Sequence, residues 1–164
     1  MVFLLFLILM IIPVTDTTKN TADLCDVQYY EYFTSCSASI NSPLNCNETT
    51  LNFTNNSISK TCSDVRLIWI YPRNNLTIIF ATPFTPKKQA YKLYVNNDEL
   101  KPYILHIYRI LNGQETDVTT TDKMLRQDSD ANYQVILKFE SPLTLDYDIG
   151  SITYITIAEI GEKV

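Results

Sequence analysis

Four cysteines, four glycosylation sequons and a few scattered acids are the residues of this chain with chemistry to offer. The cysteines are Cys25, Cys36, Cys46 and Cys62, at intervals of 11, 10 and 16 residues. An even count behind an apolar leader reads as two disulfides in an oxidising compartment, with three connectivities open. A structural zinc site wants a close cysteine pair on a tight turn, and these intervals supply none. No metal ligand set and no cofactor site are expected.

Asn47-Glu-Thr, Asn52-Phe-Thr, Asn55-Asn-Ser and Asn75-Leu-Thr are acceptors for N-linked sugar. Each needs a surface position, because a glycan cannot be packed inside a core. Three fall between residues 47 and 55, so one face should be sugar-coated.

His106 is the only histidine and lies in an apolar run, where it reads as a core or edge residue. Without a second histidine, neither a nucleophile–base pair nor a multi-histidine metal site has its parts. Asp128, Asp130, Asp146 and Asp148 are the acids that invite attention. Asp146 and Asp148 would share one side of an extended segment, as a calcium site or an acid–base pair requires. A solvated strand end explains the same spacing. Gly113, Gly150 and Gly161 are isolated, so no phosphate-cradling loop can form. Trp69 shares a strand face with Leu67 and Tyr71 and is expected in the core. Lys87 and Lys88 read as a solubilising turn. The chain is therefore expected to be no enzyme.

The elements that must position these residues begin with the chain's start. Val2 to Ile12 is an unbroken apolar run of 11 residues, too short to cross a bilayer as a helix. It reads as the core of a signal peptide, roughly residues 1–15, with cleavage near Thr15 or Thr17. The alternative is an uncleaved anchor. No second long apolar run follows, so no transmembrane span is expected. Net charge is −5 and the 13 basic residues are dispersed, which argues against nucleic acid as a partner. Together these place the product on the secretory route.

After the leader the chain has room for one domain. Tyrosine is frequent (11) and glycine scarce (3), as suits pleated strands. Strands are expected at Val27–Phe33, Val65–Tyr71, Leu76–Ala81, Ala90–Val95, Tyr133–Phe139 and Ser151–Ile157. The turn at Arg73-Asn74 makes residues 65–81 read as a hairpin. Asn96-Asn97-Asp98 and Asn112-Gly113 are turns. Tyr103–Leu111 fits a buried strand or a short helix. Asp117–Asp130 reads as a loop with a helical turn near Met124. In Ser151–Ile157, one face carries Ile152, Tyr154 and Thr156, the other Ser151, Thr153, Ile155 and Ile157. Eight or so strands at this spacing predict an all-β fold of two packed antiparallel sheets, stapled by disulfides.

The cysteine and strand layout resembles the lumenal domain of the lysosome-associated membrane glycoprotein family. The likeness spans residues 24–160. It rests on the loop between Cys25 and Cys62, on Asn75–Phe80 as a sequon-bearing "Leu-Thr-x-x-Phe" strand, on Tyr91–Tyr94, on Tyr133-Gln134-Val135, and on the closing LDYDIGSITYITIAEI. Val135 stands where the family has a cysteine, and Cys36 and Cys46 are extra. The resemblance implies a Cys25–Cys62 bridge with Cys36–Cys46 as a local addition, a β-prism of two sheets, and a glycan-rich structural or trafficking role in an endosomal or lysosomal lumen. A secreted β-sandwich that binds a host or receptor protein is the other expectation. In either case the partner is a protein or a lipid.

Overall fold

The computed structural model describes residues 27–32, 35–43, 46–53, 58, 61–70, 74–81, 88–142 and 149–159. The expected leader, Cys25, Asn55, Tyr71, Lys87, Asp146 and Asp148 lie outside them. The described residues form strands β1 (Gln28–Tyr32), β2 (Ser37–Asn41), β3 (Glu48–Asn52), β4 (Asp64–Ile70), β5 (Asn75–Phe80) and β6 (Tyr91–Asn96). A one-turn helix, α1 (Asn97–Leu100), follows. Then come β7 (His106–Leu111), β8 (Gln114–Asp117), β9 (Met124–Asp128), β10 (Val135–Glu140) and β11 (Ile149–Ala158). The all-β class follows directly.

The strands form two sheets. The six-stranded sheet has the order β1-β2-β4-β11-β6-β9, and the five-stranded sheet β3-β5-β10-β7-β8. Both are mixed, which corrects the expectation of purely antiparallel sheets. β2 runs parallel to β4 in one, and β3 parallel to β5 in the other. The reason is a repeated arch. β2 leads across the core to β3, and β4 leads across the core to β5. Stacking the second arch on the first makes both new contacts parallel. Residues 65–81 are therefore not a hairpin. The inward side chains Val65, Leu67 and Trp69 of β4 face the opposite layer from Leu76, Ile78 and Phe80 of β5.

Period-two alternation sorts each strand into a core side and a solvent side. β4, β5, β6 and β10 alternate cleanly, and β11 buries Ile152, Tyr154 and Thr156, one of the two faces that its alternation separates. One continuous core fills the space between the layers. Its centre is aromatic. Tyr154 meets Phe80 edge-on at 4.8 Å and Phe53 at 6.5 Å, and Phe53 meets Tyr29 at 5.3 Å. The buried Tyr91 hydroxyl donates to the carbonyl of Phe80 at 3.0 Å. Trp69 is buried as expected, and its Nε1 donates to Ser42 Oγ at 3.2 Å. Ser42 and Thr49 hydroxyls share a further bond, and Thr49 also donates to the carbonyl of Asn75. This chain ties β4 across the core to β3 and β5.

The cysteine pairing implied by the family resemblance is not the one formed. Cys36 is bonded to Cys62, with Cα atoms 5.8 Å apart. Cys46 is disulfide-bonded as well. Cys36 directly precedes β2 and Cys62 lies just before β4, so the bridge fastens the starting ends of a parallel pair. The amide of Arg66 also donates to the carbonyl of Cys36 at 3.0 Å. Parallel neighbours cannot be joined by a tight turn. Here the connection runs through β3 in the other sheet, and the bridge supplies the closure that a hairpin would give.

Two turns follow their residues. Asn112 and Gly113 both have positive φ (51° and 76°) and close β7 onto β8 with Leu111 opposite Gln114. That is the two-residue turn that Asn-Gly favours. Tyr103–Leu111 resolves as a strand from His106. The polar segment 117–130 holds β9 in place of the expected helical turn near Met124, because β6 offers it a free edge. Asn96-Asn97-Asp98 starts α1, with the Asn96 side chain accepting from the amide of Asp98.

Candidate functional site

The sequence candidates scatter. His106 sits on the outer surface, with Nδ1 3.1 Å from Asp117 Oδ2 in an exposed pair. The Asp117 carboxyl is held below its usual range by hydrogen bonds from Thr119 and by the nearby His106. Asp130 shapes a turn, accepting from the amides of Asn132 and Gln134 at 2.9 Å each. Asp128 pairs loosely with Arg126 at 3.7 Å. None of these acids faces another across a cleft. Among the described residues no group of three His, Cys, Asp or Glu side chains is placed to hold a metal. Nor is any helix among them long and apolar enough to cross a membrane.

Arg109 was not visible as special in the sequence. It lies on the inner side of β7, buried, and donates toward the carbonyls of Asp128, Gln134 and Ile136 at 3.3–3.4 Å. Desolvation lowers its pKa, against the attraction of Asp130. It knits the β9–β10 connection to the core. The only signal was a charge at an inward position of an alternating strand, and Tyr103–Leu111 had no assigned faces.

What distinguishes the molecule is that its two outer faces are unlike. Strand register lays out the five-stranded face in rows. Glu48, Asn75, Glu140 and His106 form one. Thr50, Thr77, Lys138, Tyr108 and Asp117 form the next. Asn52, Ile79, Ile136, Ile110 and Glu115 form the third. The polar groups pair among themselves. Lys138 Nζ donates to both carboxylate oxygens of Glu115 at 2.6 and 2.7 Å and lies 5.1 Å from the Tyr108 ring centre. The Tyr108 hydroxyl donates to Glu140 Oε2 at 3.1 Å. Desolvation and Glu140 raise its pKa. Asn75 Nδ2 donates to Glu48 Oε1.

The sequons belong to this sheet. Asn47 and Asn52 are exposed at the two ends of edge strand β3, and Asn75 opens β5 beside Glu48. β3 is an edge whose outer side is open to pairing by another chain. Sugar at both its ends would block that edge. A depression of about 540 Å3 lies beside Asn47, Asn74 and Asn75, closed on the other side by Leu105, Glu140 and Pro142.

The six-stranded face carries no sequon among the described residues and sets exposed apolar side chains among charged ones, with Asp64, Arg66, Lys92, Arg126 and Asp128 on the same side. Ile155 (36 % exposed), Ile157 (52 %), Ile149 and the β1 tyrosines Tyr30 (60 %) and Tyr32 all point outward. Ile68, Ile70 and Tyr94 are half-buried between them. α1 stands against one end of this face, where Thr153 Oγ1 donates to Glu99 Oε2 at 2.8 Å. A depression of about 490 Å3 lies there between Asp98, Glu99, Tyr103 and Arg66, Ile68, Ile149. Among the described residues nothing stands over the opposite end of the face.

Among the described residues the geometry defines a two-sheet β-sandwich whose sequons lie with one sheet and whose exposed isoleucines lie on the outer face of the other. No protein-family model matches the chain, and no curated protein matches it.

Proposed function

We propose that this chain is an N-glycosylated, disulfide-stapled domain of the secretory pathway, secreted or lumenal, that acts by binding and not by catalysis. Its binding surface is the outer face of the six-stranded sheet. One observation carries the reading: every described sequon lies on the five-stranded sheet, while exposed isoleucines and tyrosines collect on the other. Exposed apolar side chains gathered on one face mark an interaction site more often than chance. Sugars keep one side wet and leave the other for a partner. The sole histidine and the acids Asp117, Asp128 and Asp130 are held in surface pairs and turns, which supports a role without chemistry. A protein partner fits better than a lipid, because the face mixes charges of both signs with its apolar residues.

A glycan-rich lining or trafficking component, as the family resemblance implies, is the second reading. The clustering of Asn47, Asn52 and Asn75 on one sheet favours it. Non-reduced peptide mapping with site-by-site sugar occupancy on protein from secretory cells tests both. The expected map shows Cys36 joined to Cys62 and sugar at Asn47, Asn52 and Asn75. Cytosolic protein with free thiols and no sugar would end both readings. A residence confined to endosomal or lysosomal lumen would favour the second.

A further inference from the structure

The end of this face away from α1 has a pattern that complements itself. Two adjacent rows cross β11, β6 and β9: Ile155, Tyr94 and Arg126 in one, Ile157, Lys92 and Asp128 in the next. Each strand therefore presents, two residues apart, a matched pair: isoleucine with isoleucine, tyrosine with lysine, arginine with aspartate. All six side chains point away from the core.

We propose that this face packs against the same face of a second copy of the chain, about a two-fold axis that crosses the strands between these two rows. Such an axis lays each strand over its own copy in reverse. Ile155 then meets Ile157 of the second copy, Tyr94 meets Lys92, and Arg126 meets Asp128. The isoleucines form the apolar centre, the Lys92 stem lies along the Tyr94 ring with its ammonium paired to Glu159 of its own chain, opposite charges close the β9 side, and Asp64 lies beside Ile155 on the β4 side. Facing sheets sit about 10 Å apart, within reach of these side chains.

α1 selects this axis over the alternative. A two-fold parallel to the strands would bring the helices of both copies to the same end of the interface, where each rises over its own sheet at Thr153. The crossing axis sends the two helices to opposite ends. The sugar-bearing sheets point outward on both sides, so glycans at Asn47, Asn52 and Asn75 do not obstruct it.

This inference rests on the binding reading above, and its test separates the two. Sedimentation velocity on the mature, glycosylated protein, from about 1 to 100 µM, is expected to show a dimer. Ile155→Arg and Ile157→Arg should each weaken association by at least ~30-fold, as central interface positions do. Tyr30→Arg, on the same face but out on edge strand β1, should leave it unchanged. Asp128→Arg alone should dissociate the dimer by setting like charges together, and Arg126→Asp with Asp128→Arg should restore it. All five positions are on the surface, so the variants fold. A wild-type protein that stays monomeric throughout this range overturns the dimer. So does equal loss in Tyr30→Arg and Ile155→Arg, or failure of the double charge swap. A glycosylated, correctly bridged monomer would remove the second copy as occupant while the binding reading stands, pointing to a different protein on this face.

Discussion

Removing the Cys36–Cys62 bridge should cost this domain a large part of its stability. The two residues are 26 apart in sequence. On the chain-entropy account, closing a loop of that length withholds about 3.5 kcal/mol of freedom from the unfolded chain at 25 °C. Typical domains have only about 5–15 kcal/mol in hand. The loop contains β3, which joins the other sheet, so the unbridged chain must order both layers before either parallel contact forms. Urea unfolding of Cys36→Ala/Cys62→Ala, followed by circular dichroism, is expected to lower the midpoint by about 2 M for an m-value near 1.5–2 kcal/mol/M. The single variants supply the sharper check. Residues of one bond should behave as a unit, so Cys36→Ala and Cys62→Ala should each cost nearly what the pair costs. The double variant should also contain no titratable thiol, since Cys46 keeps its own bridge. Additive single losses, or two free thiols in the double variant, would refute the pairing. A total loss below about 1 kcal/mol would refute the argument from loop closure.

Other perturbations test other parts of the fold. Trp69→Phe should cost about 2 kcal/mol in urea unfolding, through a smaller ring in the core and the lost bond to Ser42. Tyr133 holds a positive φ of 59° in the turn before β10, so Tyr133→Gly should raise the thermal midpoint, with a gain of up to about 1 kcal/mol. Burial pushes the hydroxyl pKa values of Tyr91 and Tyr154 well above the ordinary range. The fold favours their protonated forms. Their contribution is thus complete below the free tyrosine pKa of about 10 and is lost as pH climbs toward the folded values. Stability should fall steadily above about pH 10, and a tyrosinate absorbance titration should show these two ionising only as the protein unfolds. Ionisation of every tyrosine without unfolding would contradict the described core.

Much of the strand content was legible because alternation is a local signal. β1, β4, β5, β6, β10 and β11 fall where tyrosine, valine and isoleucine alternate with polar residues, and the two faces of β11 were assigned residue by residue. Trp69 read correctly for the same reason. β2 and β3 were missed. Ser37–Asn41 and Glu48–Asn52 are short and polar, and their strand character comes from the neighbours β4 and β5 that each pairs with. β9 was read as loop because Met124–Asp128 has one buried residue, Leu125, and becomes a strand by adding to the β6 edge. The sequons were visible as motifs, but the gathering of Asn47, Asn52 and Asn75 on one sheet was not. Asn47 and Asn75 are distant in sequence and adjacent only through the parallel β3–β5 contact.

By itself the sequence determined the all-β class, the alternation of the long strands and the Asn112-Gly113 turn, since each depends on neighbours within a few positions. Tertiary structure alone decided that residues 65–81 arch between layers instead of folding into a hairpin, that Cys36 meets Cys62, and that Asn47, Asn52 and Asn75 come together on one sheet. Those outcomes turn on which distant strands share a sheet. That choice is made by how two arches bury their apolar sides together, an energy that belongs to the assembled core and to no single segment.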